Sequence, residues 1–165
     1  MKELDLVTFQ KESKSALQAN KKLRQRLRKV KSKELDLQFE TLHKKVFSGL
    51  DCLMCANCCK TTSPIFLHTD IDRLAKVFRM KSSAFIGEYL HRDDDGDYVL
   101  NFAPCPFLGR DNKCLVYEDR PKACREYPHT NRKNIQGILE LSLQNTLVCP
   151  AVFKIFDQIG QNYRK

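Results

Sequence analysis

Four cysteines fall within one short run of this chain, Cys52-Leu53-Met54-Cys55-Ala56-Asn57-Cys58-Cys59, and four more follow at Cys105, Cys114, Cys124 and Cys149. Thiolate is a soft ligand, and sets of four thiolates select zinc, iron–sulfur clusters or copper(I) over hard cations. In a C-x-x-C unit the two intervening residues turn tightly and bring both sulfurs to one side. Here the unit is doubled, in the C-x-x-C-x-x-C pattern of ferredoxin-type loops. Neighbouring side chains diverge by about 100° on a helix and oppose one another on a strand, so Cys58 and Cys59 are expected to face different centres. With Cys105, Cys114, Cys124 and Cys149 to draw on, the thiols form either two tetrathiolate sites or one cluster with thiols to spare for redox or substrate chemistry. Cys105 and Cys149 each precede a proline, as in ferredoxin loops. All eight are candidate ligands for zinc or an iron–sulfur cluster. Cys149, taken singly, also suits a small buried hydrophobe.

An even number of cysteines also suits a disulfide framework, so the compartment decides between the readings. The first eight residues mix acids with apolar side chains and contain no apolar h-region, so no signal peptide is expected. No run of about 18 apolar residues occurs, so no membrane helix is expected either. Thiols in a reducing cytoplasm are then metal ligands or redox groups.

Other groups surround these thiols in sequence. Arg120 and Arg125 are placed to donate to sulfur or to an anionic group, or else to pair with Glu118, Asp119 or Glu126. Tyr117 and Tyr127 either donate O–H to sulfur or pack half-buried. Of the four histidines, His129 is the best substitute ligand. The acidic run at 93–97 lacks the closing glutamate of a calcium loop and reads as a turn. There is no glycine-rich phosphate loop and no Ser-His-Asp spacing.

The blocks Cys52-x-x-Cys55-x-x-Cys58-Cys59, Pro104-Cys105-Pro106-Phe107-Leu108 and Cys114-x-x-Tyr117-x-x-Arg120-Pro121-x-x-Cys124-Arg125-x-Tyr127-Pro128 resemble, in order and spacing, the bacterial YkgJ-type CxxCxxCC cysteine-cluster family. The resemblance covers roughly residues 50–150 and implies chelation of zinc or iron. A related cysteine arrangement occurs in the flagellin lysine N-methylase, which extends the resemblance to an iron–sulfur enzyme acting on a protein side chain. Three readings follow: a metal-binding module with a structural or stored metal and a protein partner, an iron–sulfur enzyme, and an RNA- or ribosome-associated factor folded by its metal.

The elements that position these groups change character along the chain. Residues 11–33 hold ten Lys or Arg against Glu12 alone, which accounts for the whole net charge of +9. The other 19 basic residues (29 less these ten) face 19 acids (20 less Glu12). Clustered Lys and Arg are the footprint of polyanion binding, here RNA, a ribosome or an acidic protein surface, or of a solvated helix face. Leu17, Leu23, Leu27 and Val30, extended by Leu35, Leu42 and Val46, form a narrow apolar stripe. It predicts a long helix or helix pair packed lightly on the rest. Beyond Ser48 short elements alternate with turns. A helix capped by Thr69 buries Ile71, Leu74, Ala75 and Phe78, and another from Ser82 or Ser83 buries Phe85, Ile86 and Tyr89. A strand covers 98–102, and Asp119 with Pro121 starts a short helix that Pro128 ends. Residues 135–148 read as a strand, with a helix as the alternative, and Pro150 opens a helix that buries Val152, Phe153, Phe156 and Ile159. The expected whole is small, mostly helical and α+β, stapled by metal, with a basic helical extension at 1–47 and a cysteine-cluster domain at 48–165.

Overall fold

The computed structural model describes residues 5–163. Residues 1–4, where the reading of the start as non-secretory begins, lie outside the described residues. In chain order the helices are α1 (Leu6–Leu27), α2 (Ser32–Phe47), α3 (Cys52–Cys55), α4 (Asn57–Thr61), α5 (His68–Val77) and α6 (Ser82–Tyr89). Strands β1 (Leu90–Arg92) and β2 (Tyr98–Leu100) come next, then α7 (Lys122–Glu126), a 3-10 helix (Ile135–Ile138), α8 (Leu139–Asn145) and α9 (Pro150–Tyr163). The protein is thus mostly helical with one small sheet, as expected of its α+β class. It divides into two compact units, one of the residues up to Asp51 together with those from Pro128, the other of Cys52–Tyr127. Where the sequence suggested a division at 47/48, the structure groups the C-terminal helices with the N-terminal pair.

In the first unit, Asp5 caps α1 by accepting from the backbone N–H groups of Val7 and Thr8, which have no partner inside the helix. The buried face of α1 runs through Phe9, Ser13, Asn20, Leu23 and Leu27. Its spacing is helical, but two polar residues occupy it, which is why the apolar stripe looked narrow. α2 buries Leu35, Phe39 and Val46. Phe39 meets Phe156 of α9 edge-on at 6.0 Å, and Phe9 meets Phe153 at 5.9 Å. Each such side chain taken from water stabilises by about 1.5–3 kcal/mol. The helix pair is therefore not lightly packed; Leu23, Leu27, Leu35 and Phe39 are core residues.

Residues 135–145 are helical, where alternation suggested a strand. Ile135, Leu139 and Leu143 are buried while Leu141 is exposed, so the apolar period that matters is four rather than two. Asp36 of α2 fixes the start of this segment by accepting from the N–H groups of Asn134 and Ile135 at 2.8 and 2.9 Å. Among the described residues no single helix is long and apolar enough to cross a membrane.

The second unit has a core of Phe66, Ile71, Leu74, Ala75, Phe85, Leu90, Leu100, Phe107 and Val116. Phe85 is fully buried among the rings of Phe66, Phe78, Tyr89 and Phe107, at 5.0–6.5 Å. β1 and β2 pair antiparallel, with Leu90 opposite Leu100. The acidic run is the connecting turn, in which the Asp93 carboxylate accepts from the backbone of Asp95 and Asp97. α5 begins at His68 rather than after Thr69. The carboxylate of Asp70 accepts the Leu67 N–H, and Asp72 instead accepts from Ser82 at the head of α6.

Candidate metal centre

Seven of the eight cysteines belong to the second unit. α3 ends at Cys55, and Ala56 then takes a left-handed φ of 48° while 4% exposed, so the chain turns at once into α4. A left-handed residue with a Cβ costs on the order of 1 kcal/mol and persists only where its surroundings hold it. α4 carries Cys58 and Cys59, whose sulfurs lie 4.0 Å apart. With metal–sulfur bonds of about 2.3 Å, two thiolates on one tetrahedral zinc stand about 3.8 Å apart. The separation of Cys58 and Cys59 is close to that spacing of two thiolates on one ion.

A second stretch, which carries Cys105 and Cys114, is tied to α4 through its backbone. The Cys105 N–H donates to the Cys59 carbonyl at 2.8 Å, tying this strand of chain to α4. The chain then reverses: Gly109 N–H donates to Lys113 O at 2.7 Å, and Leu108 bridges Cys114. A side chain at Gly109 would put its Cβ 3.1 Å from the Lys113 carbonyl and 2.8 Å from the Asp111 carboxylate, so the tight turn needs glycine there. Cys105 and Cys114 share one local geometry. In each, the backbone N–H two residues on, of Phe107 or of Val116, favours the thiolate against the larger cost of burial. Both side chains pack against the hydrophobic core.

Cys124 arrives on α7, and a buried ion pair positions it. Asp70, 1% exposed, accepts from the Arg73 guanidinium at 2.7 Å and from the Lys122 N–H at 3.2 Å. Arg73 also donates to the carbonyls of Asp119 and Arg120. One helix thereby grips the segment leading into Cys124. This clamp is not legible in the sequence, because Asp70 and Arg73 look like ordinary first-turn and surface residues of α5. Arg120 lies over the Tyr117 ring at 3.5 Å, with its Nε buried and unmatched. Arg125 donates to the Arg120 carbonyl, and Lys122 pairs with Glu126, so neither predicted pairing of the arginines with carboxylates describes Arg125.

The charges of these groups are linked. Cys59 is the acidic thiol, lowered to about 7 by the hydrogen bond from Cys58, with help from Arg120 and Lys60 against the cost of burial. Cys105 is pushed up to about 11, chiefly by burial, and Cys114 also rises through burial. Cys124 is pushed up to about 12 by burial and then by negative charge at Cys59, Cys105 and Cys114, with Arg120 opposing. Cys59, Cys105, Cys114 and Cys124 thus share one field. Cys59 ionises most readily, and Cys105, Cys114 and Cys124 resist ionisation, chiefly through burial and further through the charge at Cys59.

The other candidates are placed differently. Cys52 is exposed and Cys55 half-buried on α3. Cys149 belongs to the first unit, buried at the head of α9, where its N–H donates to Asn145 O at 2.8 Å. His129 is likewise in the first unit, with a left-handed φ of 64°. Among the described residues no three His, Cys, Asp or Glu side chains are already set closely enough to hold one ion. The donor set nevertheless fits a soft metal in kind: four thiols whose charges act on one another, a fifth 4.0 Å from one of them, and the Arg120 guanidinium as counter-charge. Closing it requires the sulfurs to draw in, and a χ1 hop moves a cysteine sulfur by about 3 Å.

Comparison with curated proteins and with solved structures finds no significant match. A family model does match, over residues 51–149, and its description is "putative zinc- or iron-chelating domain". That span is more than half of the chain and takes in all eight cysteines, so the chain belongs to the CxxCxxCC family.

Proposed function

We propose that Cys59, Cys105, Cys114 and Cys124 hold zinc or an iron–sulfur cluster, with Cys58 as the interchangeable thiol beside Cys59, and that the metal is mainly structural or held in store. The observation that supports this best is that the charges of four thiols, carried by three separate stretches of chain, act on one another. Their elements are weak by themselves: α4 and α7 are five residues each and the sheet has two strands. A small core of this kind gains from a staple, and a metal bound only by the folded form stabilises that form directly. The thiolates hold the metal, Arg120 offsets their charge, and the Asp70–Arg73 pair keeps Cys124 in register. Cys52 and Cys55 precede this set on α3 and are the thiols that a larger cluster or a second ion would recruit. A zinc ion would supply four strong bonds and no redox chemistry, whereas iron–sulfur would add electron transfer. Such a site belongs in a reducing compartment, the cytoplasm.

The test is elemental analysis of protein purified without oxygen, for the wild type and for a Cys59→Ala/Cys124→Ala variant. The expected result is stoichiometric zinc in a colourless protein, or iron and sulfide in a brown one, with the metal lost from the variant. Full metal content in the variant would overturn the assignment.

A further inference from the structure

We propose that the outer face of α1, with the turn that follows it, binds the phosphodiester backbone of nucleic acid. Ten Lys or Arg lie in residues 11–33, and the structure separates those engaged in the fold from those left over. Arg24 pairs with Glu140, and Arg26 donates to the Tyr163 carbonyl at the end of α9. By contrast Lys11, Lys14, Lys21 and Lys22 are exposed, and among the described residues their side chains have no ion pair or hydrogen bond. The same holds of Lys29 and Lys31 in the turn. Each of the four helix lysines stands one or two positions past a buried residue, Phe9, Ser13 or Asn20, and so about 100° or 200° round the axis from the core-facing side.

The chemistry of this face selects its partner. Lys11 to Lys22 span about 16 Å of helix, a length over which one nucleic-acid strand presents about five phosphates. Between them are exposed Ser15 and Gln18, side chains that also hydrogen-bond phosphate and sugar oxygens. No aromatic residue lies on the face, so it lacks both the anchors of a protein–protein hot spot and a platform for stacking bases. Val7, at its start, is 79% exposed, but one valine is not the apolar face with which a helix enters a membrane surface. What remains is a row of uncompensated ammonium groups, and these read charge and spacing rather than sequence. The inference stands apart from the thiol site, which lies in the other unit.

The experiment measures fluorescence anisotropy of the full chain with labelled RNA and DNA duplexes of one sequence, from about 50 to 200 mM salt. The K11Q/K14Q/K21Q/K22Q variant is measured beside the wild type. The expected result is salt-dependent binding to either duplex. In the variant the slope of log affinity against log salt falls by about 3–4 units, close to one per lost phosphate contact, with at least tenfold weaker binding at low salt. The four side chains have no partners in the fold, so the melting temperature should hold. Should the variant fail to fold, K29Q/K31Q makes the same test with a loss of about 2 units. Absence of binding to both duplexes at low salt, an unchanged slope in the folded variant, or equally tight binding of poly-glutamate would each overturn the proposal.

Discussion

If the proposed site binds its metal as four thiolates, filling it must release protons, and the pKa shifts give the number to expect. At pH 7 Cys59, with its pKa lowered to about 7, is about half ionised. Cys105 and Cys124, raised to about 11 and about 12, are fully protonated, and Cys114, raised above its ordinary 9.0, is protonated too. Binding as four thiolates therefore displaces about three and a half protons at pH 7, about four below pH 6 and about three by pH 8. Apparent metal affinity should rise by about 3.5 logarithmic units per pH unit around neutrality, roughly a three-thousandfold gain from pH 6.5 to 7.5. Competition against a chromophoric chelator of known pH dependence measures the slope, and an indicator in weak buffer counts the protons directly. A slope of two or less would mean that at most two of these thiols meet the metal, and the four-thiol site would fail. The metal-free protein carries the complementary signature. The depressed Cys59 contributes stability that is complete above pH 9 and fades as pH falls to 7. Cys105 and Cys124, raised in the folded state, contribute stability that is complete below pH 9 and is lost as pH climbs toward 11–12.

Three further expectations concern the groups around the site. In chelator-treated protein, Cys59 should be alkylated by iodoacetamide with a midpoint near pH 7. Cys58→Ala should raise that midpoint more than Arg120→Gln does, because the Cys58 hydrogen bond is the larger cause; mass spectrometry of the labelled peptide that showed the reverse order would refute the assignment. Asp70→Asn breaks a buried ion pair and sets an amide against the N–H groups of Leu67 and Lys122. Denaturant melts should show a loss of about 3 kcal/mol, and a loss below about 1 kcal/mol would remove Asp70 from the clamp. Gly109→Ala places a methyl 2.8 Å from the Asp111 carboxylate and 3.1 Å from the Lys113 carbonyl, so the carboxylate must move and the turn between Cys105 and Cys114 must give by a few tenths of an ångström. Stability should fall by about 1–2 kcal/mol and metal affinity by about tenfold, and unchanged affinity in a competition titration would show that the turn does not set the site.

Much of the local grammar was legible because it depends on neighbours in sequence. The hairpin turn at 93–97, the helix at Ser82 and the final helix from Pro150 each follow from turn residues or from apolar spacing within one element. Reading failed where a polar residue held a core position. Ser13 and Asn20 disguised the buried face of α1, and Leu141 completed a false alternation through 135–143. In both places the tertiary neighbours, not the residue type, decided which side went inward.

The same division runs through the cysteines. Sequence alone determined the kind of chemistry, because eight thiols in these blocks make a soft donor set wherever they lie, and it determined the family. Only the tertiary structure decided the grouping. It set the sulfurs of Cys58 and Cys59 4.0 Å apart, joined Cys105 to Cys59 through a backbone hydrogen bond, and let the charge of Cys59, Cys105 and Cys114 act on Cys124. It put Cys149 in the core of the other unit. Spacing along a chain fixes which thiols are able to meet across one turn. Which distant ones do so depends on hydrogen bonds and ion pairs such as Asp70–Arg73, whose partners stand far apart in sequence from the residues they position.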